Sequence, residues 1–289
     1  VIQQVLVIGA GQMGAGIAQV MAQAGLETHL YDVSTAGLEV ARGRIADLLH
    51  KGAEKGKWSA EDAQAALNRL HVVHDLASVG KKVDLVVEAI IEDWEIKRDL
   101  FQQLDALCKG ETILASNTSS LPITNLAAAT QRGPQVIGMH FMNPVPVMAL
   151  VEIIRGLQTS DETYQAIHDL TLRLGKTPVT VHDAPGFVSN RILMPMINEA
   201  ICTFQEGIAS VTDIDTVMKL GMRHPMGPLE LADFIGLDTC LAIMNVLHDG
   251  FGDPKYRPAL KLKQMVAAGL LGKKVGKGFY TYVNGVKTG

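Results

Sequence analysis

A short apolar run at residues 4–8 of this 289-residue chain leads directly into Gly9-Ala-Gly11-Gln-Met-Gly14. No other feature restricts the fold as strongly. The run has the character of a buried parallel strand. The residues after it read as a helix over 15–24 that ends near Gly25, and a second strand over 27–31 stops at Asp32. Strand, glycine turn, helix and strand within about thirty residues make one βαβ unit. At such a turn Gly9 permits the tight bend, Gly11 lets the backbone approach a pyrophosphate, and Gly14 allows close helix–strand packing. The first amides of the helix then face the anion. The expected cofactor-binding residues of this turn are Gly9, Gly11, Gln12, Met13 and Gly14. An acid about twenty residues on accepts hydrogen bonds from a ribose 2′-hydroxyl and repels a 2′-phosphate. Asp32 holds that place and is followed by Val33 and Ser34, not Arg, which favours NAD over NADP. A glycine-rich turn without a ligand, and a strand-end Asp that merely caps a turn, are the competing readings; the strand–turn–helix context argues against both.

The rhythm continues along the chain. Helices are expected over 35–55 and 59–70, forming a hairpin inserted into the nucleotide-binding domain, with Ser59 and Asp62 spaced as a capping box. Strands are expected over 84–88, 112–116, 136–141, 149–154 and 178–182, with helices over 92–108, 121–128 and 161–174. This alternation gives an α/β, Rossmann-type doubly wound sheet. Composition changes at Asp183-Ala-Pro-Gly186, and beyond it the pattern is helical until the C-terminal tail. The expected division is an NAD-binding domain over 1–184 and an all-helical domain over 185–289 for substrate binding and dimerisation. The stretch 187–204 is apolar on nearly every face, so it needs burial by neighbouring helices or by a second copy of the chain.

Composition narrows the function. A net charge of −4 argues against a dedicated nucleic-acid binder. Cys108, Cys202 and Cys240 are widely spaced and odd in number, which suggests neither a disulfide framework nor a metal site and fits a reduced, cytoplasmic setting. No apolar run approaches the ~18 residues of a membrane span, and the N-terminal run lacks the basic start of a signal peptide.

One pair of residues suggests acid–base chemistry. His140 closes one expected strand and Glu152 lies in the next, with the loop between them centred near Pro146. If these strands fold back antiparallel, the two residues are equidistant from the turn and face each other at ~4.5–5.5 Å between Cβ atoms. Glu152 lies among Leu150, Val151, Ile153 and Ile154, where an unpartnered carboxylate would be costly. A carboxylate that fixes one imidazole nitrogen leaves the other to exchange a substrate proton. A structural His–Glu pair closing a loop is the alternative. Ser120 reads as the N-cap of the helix at 121, leaving Ser119 to face a ligand. Asn190, in an apolar helix, needs a polar partner from protein or substrate. His224 reads as structural, and His71, His74 and His182 as strand or surface residues.

The segments VIGAGQMGAGIAQV, ASNTSSLPIT, VIGMHFMNPVPVMALVEII, DAPGFVSNRILMPMINEA, HPMGPLELADFIGLD and GKGFY, in this order, resemble the 3-hydroxyacyl-CoA dehydrogenase family over nearly the whole chain. The resemblance implies NAD-linked interconversion of L-3-hydroxyacyl-CoA and 3-ketoacyl-CoA, on short chains, in a homodimer. It implies that His140 is the catalytic base and Glu152 its orienting carboxylate. Ser119 and Asn190 then lie around the substrate oxygen and the nicotinamide, and Glu92, Lys97, Asn117, Asn143 and Lys274 lie near the cofactor. His50 stands where some members carry Lys, with Lys51, Lys55 and Lys57 close by as candidates to hold the anionic end of CoA. Two other readings are a relative acting on a free hydroxy acid or a phosphorylated substrate, and a non-catalytic NAD-binding protein of this fold.

Overall fold

The computed structural model describes residues 1–288 and divides into two compact units, Val1–Ala184 and Pro185–Gly289. In the first unit the elements are β1 (Gln4–Ile8), α1 (Gln12–Gln23), β2 (Glu27–Tyr31), α2 (Thr35–Glu54), α3 (Ala60–Asn68), β3 (Leu70–Val73), α4 (Ala77–Gly80), β4 (Leu85–Glu88), α5 (Trp94–Leu107), β5 (Ile113–Ser116), α6 (Ile123–Ala128), β6 (Val136–Phe141), β7 (Leu150–Arg155), α7 (Asp161–Arg173) and β8 (Thr177–His182). The strands form one sheet in the order β3-β2-β1-β4-β5-β6-β7-β8. All neighbours are parallel except β6 and β7, so β7 and β8 run against the other six strands. The chain order reverses between β1 and β4, the crevice where doubly wound sheets bind ligands.

Continuous burial accounts for the central strands. Every residue of β4, β5 and β6 is buried, as expected for strands covered on both faces. The helices begin on side-chain caps: Ser34 accepts from the Gly37 amide, Asp93 from Ile96 and Ser160 from Thr163, while Ser59 and Asp62 form the full reciprocal box. Strand β3 lies where the sequence pattern extends a helix to Leu70. Only Arg69 separates α3 from β3, with no glycine or proline to announce the change. The helical hairpin is thus the crossover between parallel β2 and β3. Its residues Leu38, Ala41, Ile45, Leu49, Ala63 and Ala66 join the main core. The turn between the two helices is held by Trp58, whose indole N–H donates to the Leu49 carbonyl at 2.8 Å while its ring covers Gly52.

The second unit contains α8 (Ser189–Gln205), α9 (Val211–Thr216), α10 (Pro228–Ile235), α11 (Leu237–Phe251), α12 (Leu260–Ala267) and a small antiparallel hairpin of β9 (Tyr282–Val283) and β10 (Val286–Lys287). Two buried aspartates organise it. Asp215 accepts from the Leu229 and Glu230 amides and the Tyr280 hydroxyl; Asp233 accepts from the Phe279 and Tyr280 amides and the Tyr282 hydroxyl. The HPMGPLELADF and GKGFY segments are therefore joined by these carboxylates. Helix α8 buries only part of its apolar surface: Met194, Ile197 and Ile201 enter the core, whereas Ile192 is 66% exposed. Among the described residues no single helix is long and apolar enough to cross a membrane. Helices α10 and α11 together reach that length but meet at 98°, and both contribute to the core of this unit.

Candidate active site

The glycine turn has the geometry a dinucleotide requires. Gly9 has φ +106°, and a Cβ there would lie 2.4 Å from the Ala89 carbonyl oxygen. At Gly14 a Cβ would meet the Gly9 carbonyl, which fixes the close helix–strand contact. Above Gly11, by contrast, the space is open. No side chain caps the start of α1, and its first turn carries no acid, so its amides suit an anion. Asp32 lies just beyond β2 and accepts from the Ala10 amide at 2.7 Å and the Ser34 amide at 2.8 Å. It thus ties the glycine turn to the end of β2. These residues fit NAD.

In the antiparallel pair β6–β7 the register sets His140 directly opposite Glu152. The His140 Nδ1–Glu152 Oε2 distance is 2.7 Å, with the residues 8% and 2% exposed. Counting outward from the turn therefore locates the pair correctly. Asn117, at the end of β5, accepts from the Phe141 amide at 2.9 Å and so holds the end of the strand that carries His140. Asn143 accepts from the Gln12 side chain at 3.1 Å, linking the β6–β7 loop to the first residue of α1. Between this loop, α1 and α2 lies a cavity of about 410 Å³ lined by residues including Gln12, Gly16, Leu48, Asn143 and Val145. Met13 is half-buried against the core.

Glu92 accepts from the Thr118 hydroxyl and from the Ser119 amide at 3.4 Å. Thr118 in turn accepts from the Ser120 and Leu121 amides. One expectation needs correction here. Ser120 caps no helix: α6 starts at Ile123 with Pro122 at its N-cap, because the residue before a proline is kept out of the helical region. Lys97 is buried. It is 1% exposed, with its ammonium 2.9 Å from Glu88 and 3.6 Å from Glu92. Glu88, absent from the sequence-based set, is 0% exposed and also accepts from the Ile90 amide at 2.7 Å and the Ser116 hydroxyl at 2.6 Å. A signal was available: Glu88 ends an apolar strand, the same anomaly that marked Glu152.

Asn190 and Lys274 belong to the second unit. Asn190 occupies the first turn of α8, half-buried, its amide bonded to the Gly186 carbonyl at 3.1 Å. The Lys274 ammonium is held by both oxygens of Asp238, at 2.6 and 2.7 Å. Lys51, Lys55 and Lys57 are exposed at the end of α2 and the turn after it, as is His50.

Comparison with known proteins decides the family. Residues 4–184 match the NAD-binding domain of 3-hydroxyacyl-CoA dehydrogenase and residues 186–282 its C-terminal domain. The chain belongs to the 3-hydroxyacyl-CoA dehydrogenase family. It is thus an NAD-dependent oxidoreductase. A probable 3-hydroxybutyryl-CoA dehydrogenase of Deinococcus radiodurans is 59% identical, over 96% of this chain and 99% of the relative. The Bacillus subtilis protein of the same description is 56% identical, over 97% and 98%. The crystal structure of (S)-3-hydroxybutyryl-CoA dehydrogenase from Ralstonia eutropha superposes with a TM-score of 0.96 at 50% identity, covering 98% of this chain and all of that one.

Proposed function

We propose that this family member interconverts short-chain L-3-hydroxyacyl-CoA, with 3-hydroxybutyryl-CoA foremost, and the corresponding 3-ketoacyl-CoA. The observation that carries the reading is the buried His140–Glu152 pair, 2.7 Å apart, in the sheet that carries the glycine turn. The short-chain assignment is supported by relatives described as 3-hydroxybutyryl-CoA dehydrogenases at 48–59% identity.

Bound NAD supplies the hydride acceptor or donor; the chain does the rest. His140 takes the 3-hydroxyl proton on Nε2 during oxidation and returns it to the keto oxygen during reduction. Glu152, bonded to Nδ1, fixes the tautomer and stabilises the imidazolium. Ser119 and Asn190 orient the substrate oxygen. Gly9, Gly11, Gln12, Met13 and Gly14 hold the pyrophosphate, and Asp32 holds the ribose. Glu92, Asn117, Asn143 and Lys274 border the cofactor, and Lys97 fixes Glu92 from below. Lys51, Lys55 and Lys57 attract the phosphates of CoA. Unit Val1–Ala184 serves as the NAD domain and Pro185–Gly289 as the substrate and dimerisation domain of a cytoplasmic homodimer.

Nicotinamide absorbance tests this. Acetoacetyl-CoA should be reduced efficiently with NADH, far less with NADPH, and free acetoacetate should be a poor substrate. Turnover of free acetoacetate equal to that of the thioester would overturn the acyl-CoA assignment.

A further inference from the structure

Lys176 is a buried cation that the reading above does not use. It precedes β8, is 8% exposed, and points its ammonium at the carbonyls of Val145 and Met148, at 2.6 and 2.7 Å. Among the described residues no carboxylate pairs with it. Burial pulls its pKa below the ordinary lysine value, so the charge is held at a cost. The segment it grips joins the strand of His140 to the strand of Glu152. It is a compact turn in which the Val147 and Met148 amides both donate to the Pro144 carbonyl at 3.0 Å. The turn is also fixed on its other side. Val145 is buried against α1 so closely that a Cβ on Gly16 would lie 2.8 Å from it. Asn143, just before the turn, is bonded to Gln12. The turn therefore lies between the helix of the glycine motif and the two strands of the acid–base pair, with Lys176 on the strand side.

We propose that Lys176 is a positioning residue for the dehydrogenase reaction: its ammonium clamps the Val145–Met148 turn, setting His140–Glu152 against the cofactor helix. The proposal rests on the assigned reaction, but the clamp can be read without it. A stability role alone would be better served by an apolar side chain, since an isolated buried charge is a poor source of folding energy. The two carbonyls it satisfies are turn groups with no strand partner, and misplacing a reacting group by ~1 Å can cost as much as ~10²-fold in rate.

Two variants and two readouts test it. Lys176→Met should lower kcat for acetoacetyl-CoA reduction roughly tenfold, while the KM for NADH changes less than about twofold, since α1 holds the pyrophosphate independently. Lys176→Arg, which keeps donors for both carbonyls, should recover most of the kcat. Amide hydrogen exchange at Val147 and Met148 should be faster in Lys176→Met than in wild type, whether or not any substrate is turned over. Unchanged exchange at those amides overturns the clamp. So does a Lys176→Met enzyme with full kcat, or a loss of kcat in both variants that merely follows the loss of folded protein. A wild type inert towards acetoacetyl-CoA would instead refute the assigned reaction, leaving the exchange result to decide the clamp.

Discussion

Replacing Lys97 with Met isolates the energetics of the ion pair under the switch point. Glu88 and Lys97 are 0% and 1% exposed, 2.9 Å apart. The substitution preserves the volume of the lysine stem but removes the only cation among the described residues within bonding reach of Glu88. The carboxylate keeps the Ile90 amide and the Ser116 hydroxyl, two neutral donors that do not balance a charge. Breaking one side of a buried pair typically costs about 3–5 kcal/mol. Each kilocalorie lowers the midpoint of a unit this size by about 2–4 °C, so a fall of roughly 6–20 °C is expected for the first unit. The double variant Glu88→Gln/Lys97→Met leaves no charge behind, and Gln can still accept from Ile90 and donate to Ser116; it should regain much of the loss. Both tryptophans, Trp58 and Trp94, lie in the first unit, so thermal unfolding followed by tryptophan fluorescence reads that unit without interference from the second. A Lys97→Met midpoint equal to wild type, or a double variant no more stable than the single one, would refute the reasoning.

Three further outcomes are expected. His140→Ala should reduce turnover by ~10²–10⁴-fold with NADH affinity near wild type; steady-state kinetics with fluorescence titration check both, and near-full turnover in a folded variant excludes the assigned base. Replacing Lys51, Lys55 and Lys57 together with Ala should raise the KM for acetoacetyl-CoA several-fold at low salt and much less at high salt, because exposed charges are screened; an unchanged KM at low salt leaves these residues as a solvated helix end. Asp84 supplies the pH test: burial alone would raise its carboxyl, but the Lys109 ammonium and the Gln4 and Gln3 amides outweigh that and hold it below the ordinary value. Its contribution is then complete above the unfolded pKa of about 4 and lost as pH falls through the lower folded value, so the stability gap between wild type and Asp84→Asn should narrow in acid; a gap in urea midpoint that stays constant from pH 7 to pH 3 would falsify this.

What the sequence reveals follows from how local each feature is. The glycine turn is read from six adjacent residues whose three glycines each have a steric duty, and two of those duties are visible at Gly9 and Gly14. The His140–Glu152 pairing is read from one turn, because the register of an antiparallel pair follows from counting outward. Strand β3 was hidden by its closeness to α3, and its pairing with β2 is set by the sheet rather than by its own four residues. The Glu88–Lys97 pair joins a strand end to a helix, so no counting rule locates it. Lys176 bonds to carbonyls thirty-one and twenty-eight residues away, and main-chain acceptors leave no mark in a sequence.

The reversal at β7 explains how a parallel sheet comes to hold this pair at all. Six strands end their C-terminal residues on one edge, where the glycine turn follows β1 and Asp32 follows β2. A seventh parallel strand would bring a new residue to that edge only at its far end, after a long crossover. Because β7 runs the other way, it begins at the edge, and its third residue, Glu152, stands level with the fifth residue of β6, His140. The acid and the base thus come from neighbours in one ladder, twelve residues apart, and their separation is fixed by strand spacing rather than by a flexible loop. What remains adjustable is the turn between them, held by Lys176 on one side and, through Asn143 just before it, by Gln12 on the other, although β6 itself lies three strands along the sheet from β1 and its glycine motif.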